Sequence, residues 1–504
     1  MSLEDYLTKF RARGLLAWQA GFAASFFEQG SAASHLLTGP TGTGKTHAAI
    51  AVVAELAAEH SKRILILTPA PLSAQWQMCL VESQSGLPAL QVTKQRLREM
   101  EASAPIGRSP WEPYAAYIVS QDIAKQSEFA TSLSAVPWDL VVVDEAHRMV
   151  APQRAALLDR LVAAGVVHRL LLVSSTPLPM LEPWLRPSSD RPSRFPMNTV
   201  VTSWYGALTD WGGVVVERPR AEWNIVNFRR NEDEVKALSQ FLESAAELED
   251  VSGGNSFLVE LLKHRASSSL FAFEQSMRRL AHTLRSTVEN GEILSEKNDF
   301  DMTSSSMEAT APAIQEKRFE WKDKKAGLAI VERCLETLET VRADEKLAAL
   351  KGVLSTITRG ADEAFSRICI CSMYADTVAY LHAALDDLGL PLFKITGASN
   401  PNFRKVTITK FFGQEGILLA TDGSLEEGTS MSEVSHLIQF DLPTNPIALE
   451  QRRGRFDRYG RKTMLRAFAF RDESGILPFE TDLIDAVSAS PVGDVDAASN
   501  ATRR

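Results

Sequence analysis

Two widely separated strings carry residue types suited to a triphosphate. The first, Gly39-Pro40-Thr41-Gly42-Thr43-Gly44-Lys45-Thr46, matches the phosphate-loop pattern in full. Gly39, Gly42 and Gly44, with Thr43, let backbone N–H groups wrap the phosphates, and the helix N-terminus that follows adds a favourable dipole. Lys45 reaches the β- and γ-phosphates, and the Thr46 hydroxyl is a ligand for Mg²⁺. The second string is Gln451-Arg452-Arg453-Gly454-Arg455-Phe456-Asp457-Arg458-Tyr459-Gly460. Arginine stabilises charge that develops in phosphoryl transfer, so Gln451, Arg455 and Arg458 are placed on the γ-phosphate. A basic run is ordinarily a solvated helix face, but here Arg455 and Arg458 share a face, with Gln451 one turn before Arg455. Arg453 and Arg461 are read as surface. A phosphate loop alone says that a nucleotide binds. Arginines from a second α/β region reach that nucleotide only if two domains close over it.

Asp144-Glu145-Ala146-His147 follows an apolar strand, which puts both carboxylates at the C-terminal edge of a sheet, where ligands bind in open α/β folds. Asp144 suits the metal shell, and Glu145 is placed to polarise an attacking water. Ser174-Ser175-Thr176-Pro177 ends the next strand, where small hydroxyl residues are positioned to sense hydrolysis and relay it. Taken alone, that string is an ordinary strand-end turn.

The elements that must position these residues are α/β. Leu36-Leu37-Thr38-Gly39, Ile64-Leu65-Ile66-Leu67-Thr68-Pro69, Leu140-Val141-Val142-Val143 and Leu170-Leu171-Leu172-Val173 are apolar on both faces and alternate with helical patterns, the mark of a parallel sheet covered on both sides. Residues 1–220 are read as one such lobe. Residues 221–345 change character: long helical patterns cover 232–248, 257–270 and 273–287, strand-like runs are few, and the polar stretch 288–316 reads as an exposed, disordered loop. Strand–helix alternation returns in 346–486, with strands at Arg367-Ile368-Cys369-Ile370-Cys371, 392–396, 417–420, 436–440 and 464–470. There, Val378, Leu381, Leu385 and Leu388 form one helical face. Residues 487–504 are small, polar and aperiodic, and read as a disordered tail.

At 504 residues the chain exceeds the size of a single core, and its 45% hydrophobic and 23% charged content is that of an ordinary globular protein. No run approaches the roughly 18–20 apolar residues of a membrane span. The N-terminus is acidic rather than basic-then-apolar, so a signal peptide is not expected. The cysteines, Cys79, Cys334, Cys369 and Cys371, have no zinc spacing and read as reduced, mostly buried thiols of a cytoplasmic protein. A net charge of −9 announces no global nucleic-acid footprint. A motor needs only a local positive track, so charge does not argue against one.

The ordered strings resemble a superfamily 2 helicase-type ATPase of the DEAH-box kind, closest to the Swi/Snf branch and its bacterial HepA/RapA-like members. Leu16-Ala17-Trp18-Gln19 resembles the segment whose glutamine, here Gln19, contacts adenine. Thr68-Pro69-Ala70-Pro71-Leu72-Ser73-Ala74-Gln75-Trp76 is similar to motif Ia of that branch. Phe228-Arg229-Arg230 with Asp233-Glu234-Val235 resembles the exit from the first lobe, and His264-Arg265-Ala266-Ser267-Ser268 a helical-insertion signature. Ala420-Thr421-Asp422 with Gly428 is similar to motif V, and Phe440-Asp441-Leu442-Pro443, Asn445-Pro446 and the run to Gly460 to the block ending in motif VI. Three departures stand out: Ser174-Ser175 for the more usual Thr-Ala, Gly428-Thr429-Ser430-Met431 for Gly-Leu-Asn-Leu, and Tyr459 and Arg461 where Ile and Gln are commoner. None removes a phosphate-contacting group.

The resemblance implies two RecA-like lobes with a helical insertion, ATP and Mg²⁺ in the cleft with Gly428 among the ATP-binding residues, and nucleic acid running across both lobes. Thr68, Pro69, Ser120, Gly397 and Thr421 then lie near its phosphate backbone, without base preference. Double-stranded DNA is favoured as the track, and a protein partner is expected to supply targeting. The alternatives left open are an ATP-gated scaffold or switch subunit of a complex, and an RNA-directed helicase.

Overall fold

The structure, a computed structural model, describes residues 1–28, 34–58, 62–83, 88–105, 107–111, 116–175, 199–204, 207–216, 221–290, 321–359, 367–425, 431–443, 446–458, 461 and 463–477. The chain divides into two compact units. One is built on Met1–Arg218 and includes Arg453–Gly460; the other is built on Pro219–Leu425, Met431–Arg452 and Arg461–Arg504.

The first unit holds a sheet of seven strands: β1 (Ser34–Thr38), β2 (Ile64–Thr68), β3 (Ala89–Gln91), β4 (Ala116–Ser120), β5 (Leu140–Val143), β6 (Leu170–Ser174) and β7 (Val200–Ser203). Their order is β3-β4-β2-β5-β6-β1-β7, and every pairing is parallel. Alternate strand residues supply two separate cores. Leu37, Ile64, Ile66, Leu140, Val142, Leu171 and Val173 face one layer of helices, while Leu36, Leu65, Leu67, Val141, Val143, Leu170 and Leu172 face the other. With both faces covered, a run such as Leu140–Val143 has no solvent side and no polar alternation. The helix Lys45–Ala57 is buried nearly all round, through Ala48, Ala49, Val52, Val53 and Leu56, and this is why it reads as alanine-rich rather than amphipathic.

The second unit holds a parallel sheet of six strands: β8 (Glu222–Phe228), β9 (Arg367–Ser372), β10 (Leu392–Ile395), β11 (Gly416–Thr421), β12 (His436–Gln439) and β13 (Arg466–Asp472), in the order β10-β11-β9-β12-β13-β8. The helices Glu232–Val251, Ser256–Ser268, Leu270–Asn290 and Lys324–Leu338 pack round Phe241, Leu262, Phe273, Met277, Val331 and Cys334. Three differences from the sequence reading follow from packing. The segment read as helical opens with a strand, β8. It lies at the end of the sheet and is mostly half-buried, so Glu222, Asn224 and Asn227 interrupt the apolar pattern that marks the interior strands. The helix Leu270–Asn290 runs through residues 288–290 of the expected polar loop; the rest of that loop lies outside the described residues, as does the tail 487–504. The helix carrying Val378 and Leu381 stops at Ala384, and Leu385 and Leu388 reach the same core through a short 3₁₀ turn that ends on Gly389.

Among the described residues no helix is long and apolar enough to cross a membrane. All four cysteines are free thiols, and Cys334, Cys369 and Cys371 are buried.

Candidate functional site

The phosphate loop connects β1 to the helix Lys45–Ala57. Gly42 and Gly44 hold φ of 80° and 79°, a left-handed conformation that costs a side chain about 1 kcal/mol and costs glycine almost nothing. Thr43 Oγ1 donates to Pro40 O at 2.9 Å, closing the loop on itself. Lys45 is buried, and its ammonium donates to Gly39 O and Pro40 O at 2.7 and 2.8 Å. Thr46 sits half-buried in the first helical turn. Gln19 is brought to this loop: its Nε2 donates to Gly44 O at 3.3 Å and its Oε1 accepts from Leu16 N at 3.0 Å. The neighbouring Trp18 indole donates to Thr43 O at 3.1 Å. Both ends of the Gln19 amide are thus engaged by backbone, tying the helix Ala17–Glu28 to the loop.

Asp144 and Glu145 follow β5. Asp144 is buried, and its Oδ2 accepts the Trp76 indole N–H at 2.7 Å while Oδ1 accepts Glu145 N at 3.0 Å. Gln121 Nε2 donates to Asp144 O at 2.6 Å. Glu145 is the one non-glycine at positive φ among the described residues, at φ 48° and ψ 52°. Strain of this kind costs of order 1 kcal/mol and persists only where the surroundings over-determine it. Here they do: Ser175 Oγ donates to Glu145 Oε2 at 3.2 Å, and His147 Nδ1 lies 3.3 Å from the same oxygen and 3.2 Å from Ser174 Oγ. The strings ending β5 and β6 therefore meet in one hydrogen-bonded cluster. Thr176 and Pro177 lie outside the described residues.

Trp76 was legible only as part of a resembling string, with no partner assigned. Its fully buried indole makes it a support for Asp144. Replacing Trp76 with phenylalanine keeps most of the packing and removes the donor. The expected result in a urea titration is a loss of about 1–3 kcal/mol of stability, the range for a lost buried hydrogen bond to a charged group.

The helix Pro446–Phe456 carries Gln451, half-buried, and Arg455. It ends two residues before Arg458, so the continuous helical face expected for Arg455 and Arg458 is not formed, although Arg458 Nε still donates back to Gly454 O at 3.3 Å. The segment Arg453–Gly460 groups with the phosphate loop in the first unit. A Cβ on Gly42 would lie 3.0 Å from Arg458 Cα, and one on Gly454 would run into the Thr41 side chain. Glycine at 454 is thus required by close approach. Burial holds the Arg458 guanidinium below its ordinary pKa, and the like charge of Arg455 adds to the effect. Two guanidiniums repelling each other beside a phosphate loop form a site that an anion would relieve. Gly428 lies outside the described residues.

Arg453 and Arg461, read as surface, are placed otherwise. Arg453 is half-buried. Arg461 is buried and donates to the carbonyls of Ser432 and Val434, ahead of β12, and of Thr463, in the turn into β13. Arg452 is a residue that sequence reasoning missed. It is wholly buried; one nitrogen donates to Asp441 O at 2.6 Å and the other to Asp422 Oδ2 at 2.6 Å, with Asp441 Oδ1 at 3.6 Å. Burial opposes its charge, but Asp422 and Asp441 outweigh burial and raise its pKa. Asp441 in turn accepts from Ser268, Ser372 and Met373 N, and Arg265 ion-pairs with Asp376 at 2.9 Å. The string 264–268 is thereby fastened to the ends of β9 and β12.

The backbone-contact candidates fall at C-terminal strand ends. Thr68 and Ser120 are register partners at the ends of β2 and β4, and Pro69 follows Thr68. Gly397 N donates to Thr421 Oγ1 at 3.1 Å, joining the ends of β10 and β11. Thr68, Ser120 and Thr421 are buried, and Ser120 Oγ caps the turn that follows by accepting from Ile123 N. Gly397 is exposed.

Two family models match the chain in order: the type III restriction enzyme res subunit over residues 15–177 and the helicase conserved C-terminal domain over residues 345–460. The chain is 24% identical over 444 residues to an uncharacterized ATP-dependent helicase, YqhH, of Bacillus subtilis, covering 85% of this chain and 70% of that protein. It is 27% identical over 453 residues to the RNA polymerase-associated protein RapA of Stutzerimonas stutzeri, covering 85% of this chain and 44% of RapA. The chain is similar to ATP-dependent helicases in both of its α/β regions. The chain spans less than half the length of the RapA relatives it matches. Its two RecA-like sheets share their fold with the Pyrococcus furiosus Hef helicase domain, at TM-score 0.53 and 16% identity over 92% of this chain and 97% of that one.

Proposed function

We propose that this helicase-family ATPase hydrolyses ATP as its two RecA-like lobes close over the nucleotide, and that it moves along nucleic acid, with double-stranded DNA the favoured track. The observation that supports this reading is the approach, within the first unit, of Arg458, with Arg455 beside it, to the glycines of the phosphate loop. In this reading Gly39, Gly42, Thr43, Gly44 and Lys45 bind the phosphates, with Gln19 and Gly428 completing the nucleotide set. Lys45, whose ammonium donates to Gly39 O and Pro40 O, serves the β- and γ-phosphates. Water adds to the γ-phosphorus as the bond to the bridging oxygen breaks and ADP leaves with the electron pair. Glu145 takes the proton from the water. Gln451, Arg455 and Arg458 stabilise the charge on the γ-phosphoryl oxygens.

The donors fit Mg²⁺. Asp144 offers a carboxylate, its Oδ2 accepting from Trp76 and its Oδ1 from Glu145 N, and Thr46 offers a hydroxyl. Among the described residues no cluster of three or more His, Cys, Asp or Glu side chains is built to cage a metal. Two protein donors with phosphates and water completing the shell is the usual arrangement for this ion. When bound, Mg²⁺ neutralises charge on the β- and γ-phosphates.

Thr68, Pro69, Ser120, Gly397 and Thr421 are assigned to the nucleic-acid backbone, chiefly through main-chain groups because three of the side chains are buried. A protein partner supplies targeting. The test is ATP turnover with duplex DNA, single strands or RNA, using Lys45→Ala as control. Duplex DNA is expected to stimulate most, and Lys45→Ala to lower turnover by about 10²–10³. Turnover indifferent to every nucleic acid but raised by a copurifying protein would replace the translocase with an ATP-gated switch subunit. Stimulation by RNA alone would make it an RNA-directed helicase.

A further inference from the structure

We infer that Ser175 is a positioning residue for Glu145, an inference that rests on the proposed role of Glu145 as the group that takes the proton from water. The strings ending β5 and β6 make one cluster in which Ser174 and Ser175 do different things. Ser174 Oγ lies 3.2 Å from His147 Nδ1, and Ser175 Oγ donates to Glu145 Oε2 at 3.2 Å. Ser175 is 3% exposed, so its hydroxyl is held in one place by packing. It stands where the resembling family more usually has alanine, a residue with no donor to offer.

Glu145 needs such a partner. Its backbone is left-handed, and the Glu145 side chain remains 18% exposed. A partly exposed glutamate has three side-chain torsions, and only a small fraction of its conformers directs a carboxylate oxygen at an in-line water. The Ser175 hydroxyl donates to Oε2, with His147 Nδ1 3.3 Å from the same oxygen, and anchoring that one oxygen narrows the positions open to Oε1. The role inferred for Ser175 runs through the Glu145 carboxylate. Ser175 acts by narrowing the carboxylate to the conformers that can accept the proton, which lowers the barrier without changing ATP affinity.

The test is a double-mutant cycle in the full chain between Ser175→Ala and Glu145→Gln, read as single-turnover ATP hydrolysis alongside binding of a fluorescent ATP analogue. Ser175→Ala is expected to lower kcat by about tenfold, with KM for ATP and analogue Kd within about twofold, because the group lost orients rather than binds. Ser175→Thr, which keeps the hydroxyl, is expected to retain turnover within about threefold of the parent. In the Glu145→Gln background, Ser175→Ala is expected to change the residual rate by less than about twofold, since the two residues act as one unit. Unchanged kcat in Ser175→Ala, a matching rise in KM or Kd, or an equal tenfold loss in the Glu145→Gln background would each overturn the positioning role while leaving Glu145 in place. Full turnover by Glu145→Gln alone marks the different failure, that of the base assignment, and takes this inference with it.

Discussion

Replacing Arg452 with alanine is expected to destabilise the second unit by about 3–5 kcal/mol, the cost of removing one partner from a buried ion pair. The side chains it serves are Asp422, 11% exposed, and Asp441, 2% exposed, and neither can recover the lost interaction from water. Asp441 also accepts from Ser268 and from the turn after β9, so the loss spreads from the end of β12 into the helix Ser256–Ser268. Lysine at 452 is expected to restore less than half, because a single ammonium cannot reach two carboxylates and the Asp441 carbonyl with the guanidinium's fork. Denaturant titration of the purified chain decides the matter. A shift below about 1 kcal/mol for Arg452→Ala would show that the aspartates neutralise themselves by protonation or reach solvent.

Arg455→Ala and Arg458→Ala are each expected to lower kcat by about 10³-fold or more while leaving the fold intact. The stability expectation has the opposite sign from that for Arg452. Arg458 is half-buried and pushed below its ordinary pKa by burial and by Arg455, so the two cations oppose each other. Removing the Arg458 charge relieves that repulsion, and the melting temperature of Arg458→Ala should hold or rise. Loss of turnover with retained or improved stability is the signature of a group kept for a charged ligand. Analogue binding, measured alongside, should weaken far less than turnover falls, because the developing charge of the transition state is what these arginines meet. Turnover within a factor of three of the parent in both variants would remove them from the phosphoryl-transfer site.

What could be read from the sequence depended on whether the relevant interaction was local. Leu140–Val143 and Leu170–Ser174 were legible because a strand buried on both faces is an unbroken apolar run. The phosphate loop was legible because its glycines and lysine act on one ligand from consecutive positions. β4 and β7 were not picked out: Ala116–Ser120 is mixed in composition, and Val200–Ser203 alternates between half-buried and exposed at the sheet's edge. Arg452 was passed over for a physical reason. Its neighbours Arg453 and Arg455 have the same side chain, and only contacts with Asp422 and Asp441, distant in sequence, separate the buried arginine from the others. Trp76 and Ser175 were quoted as parts of strings, but the partners that define them, Asp144 and Glu145, come from other strands. Sequence spacing reports a helix face or a loop; it does not report which side chains a parallel sheet brings side by side.

The pairing of β8 with β13 has a consequence for how the chain is made. Arg230 beside β8 bonds Asp472 at the end of β13 across 242 residues, and seven register pairs join the two strands. At ribosomal rates of about 5–20 residues per second, β8 waits about ten to fifty seconds for its partner to emerge. Throughout that interval the nascent second unit presents Trp223, Ile225 and Val226 on a strand with no neighbour, while every strand of the first unit has already been synthesised. Translation speed and chaperone access between Phe228 and Arg466 thus bear on the yield of active protein, and a stop codon anywhere in that span leaves every strand of the first sheet made and the second sheet without β13.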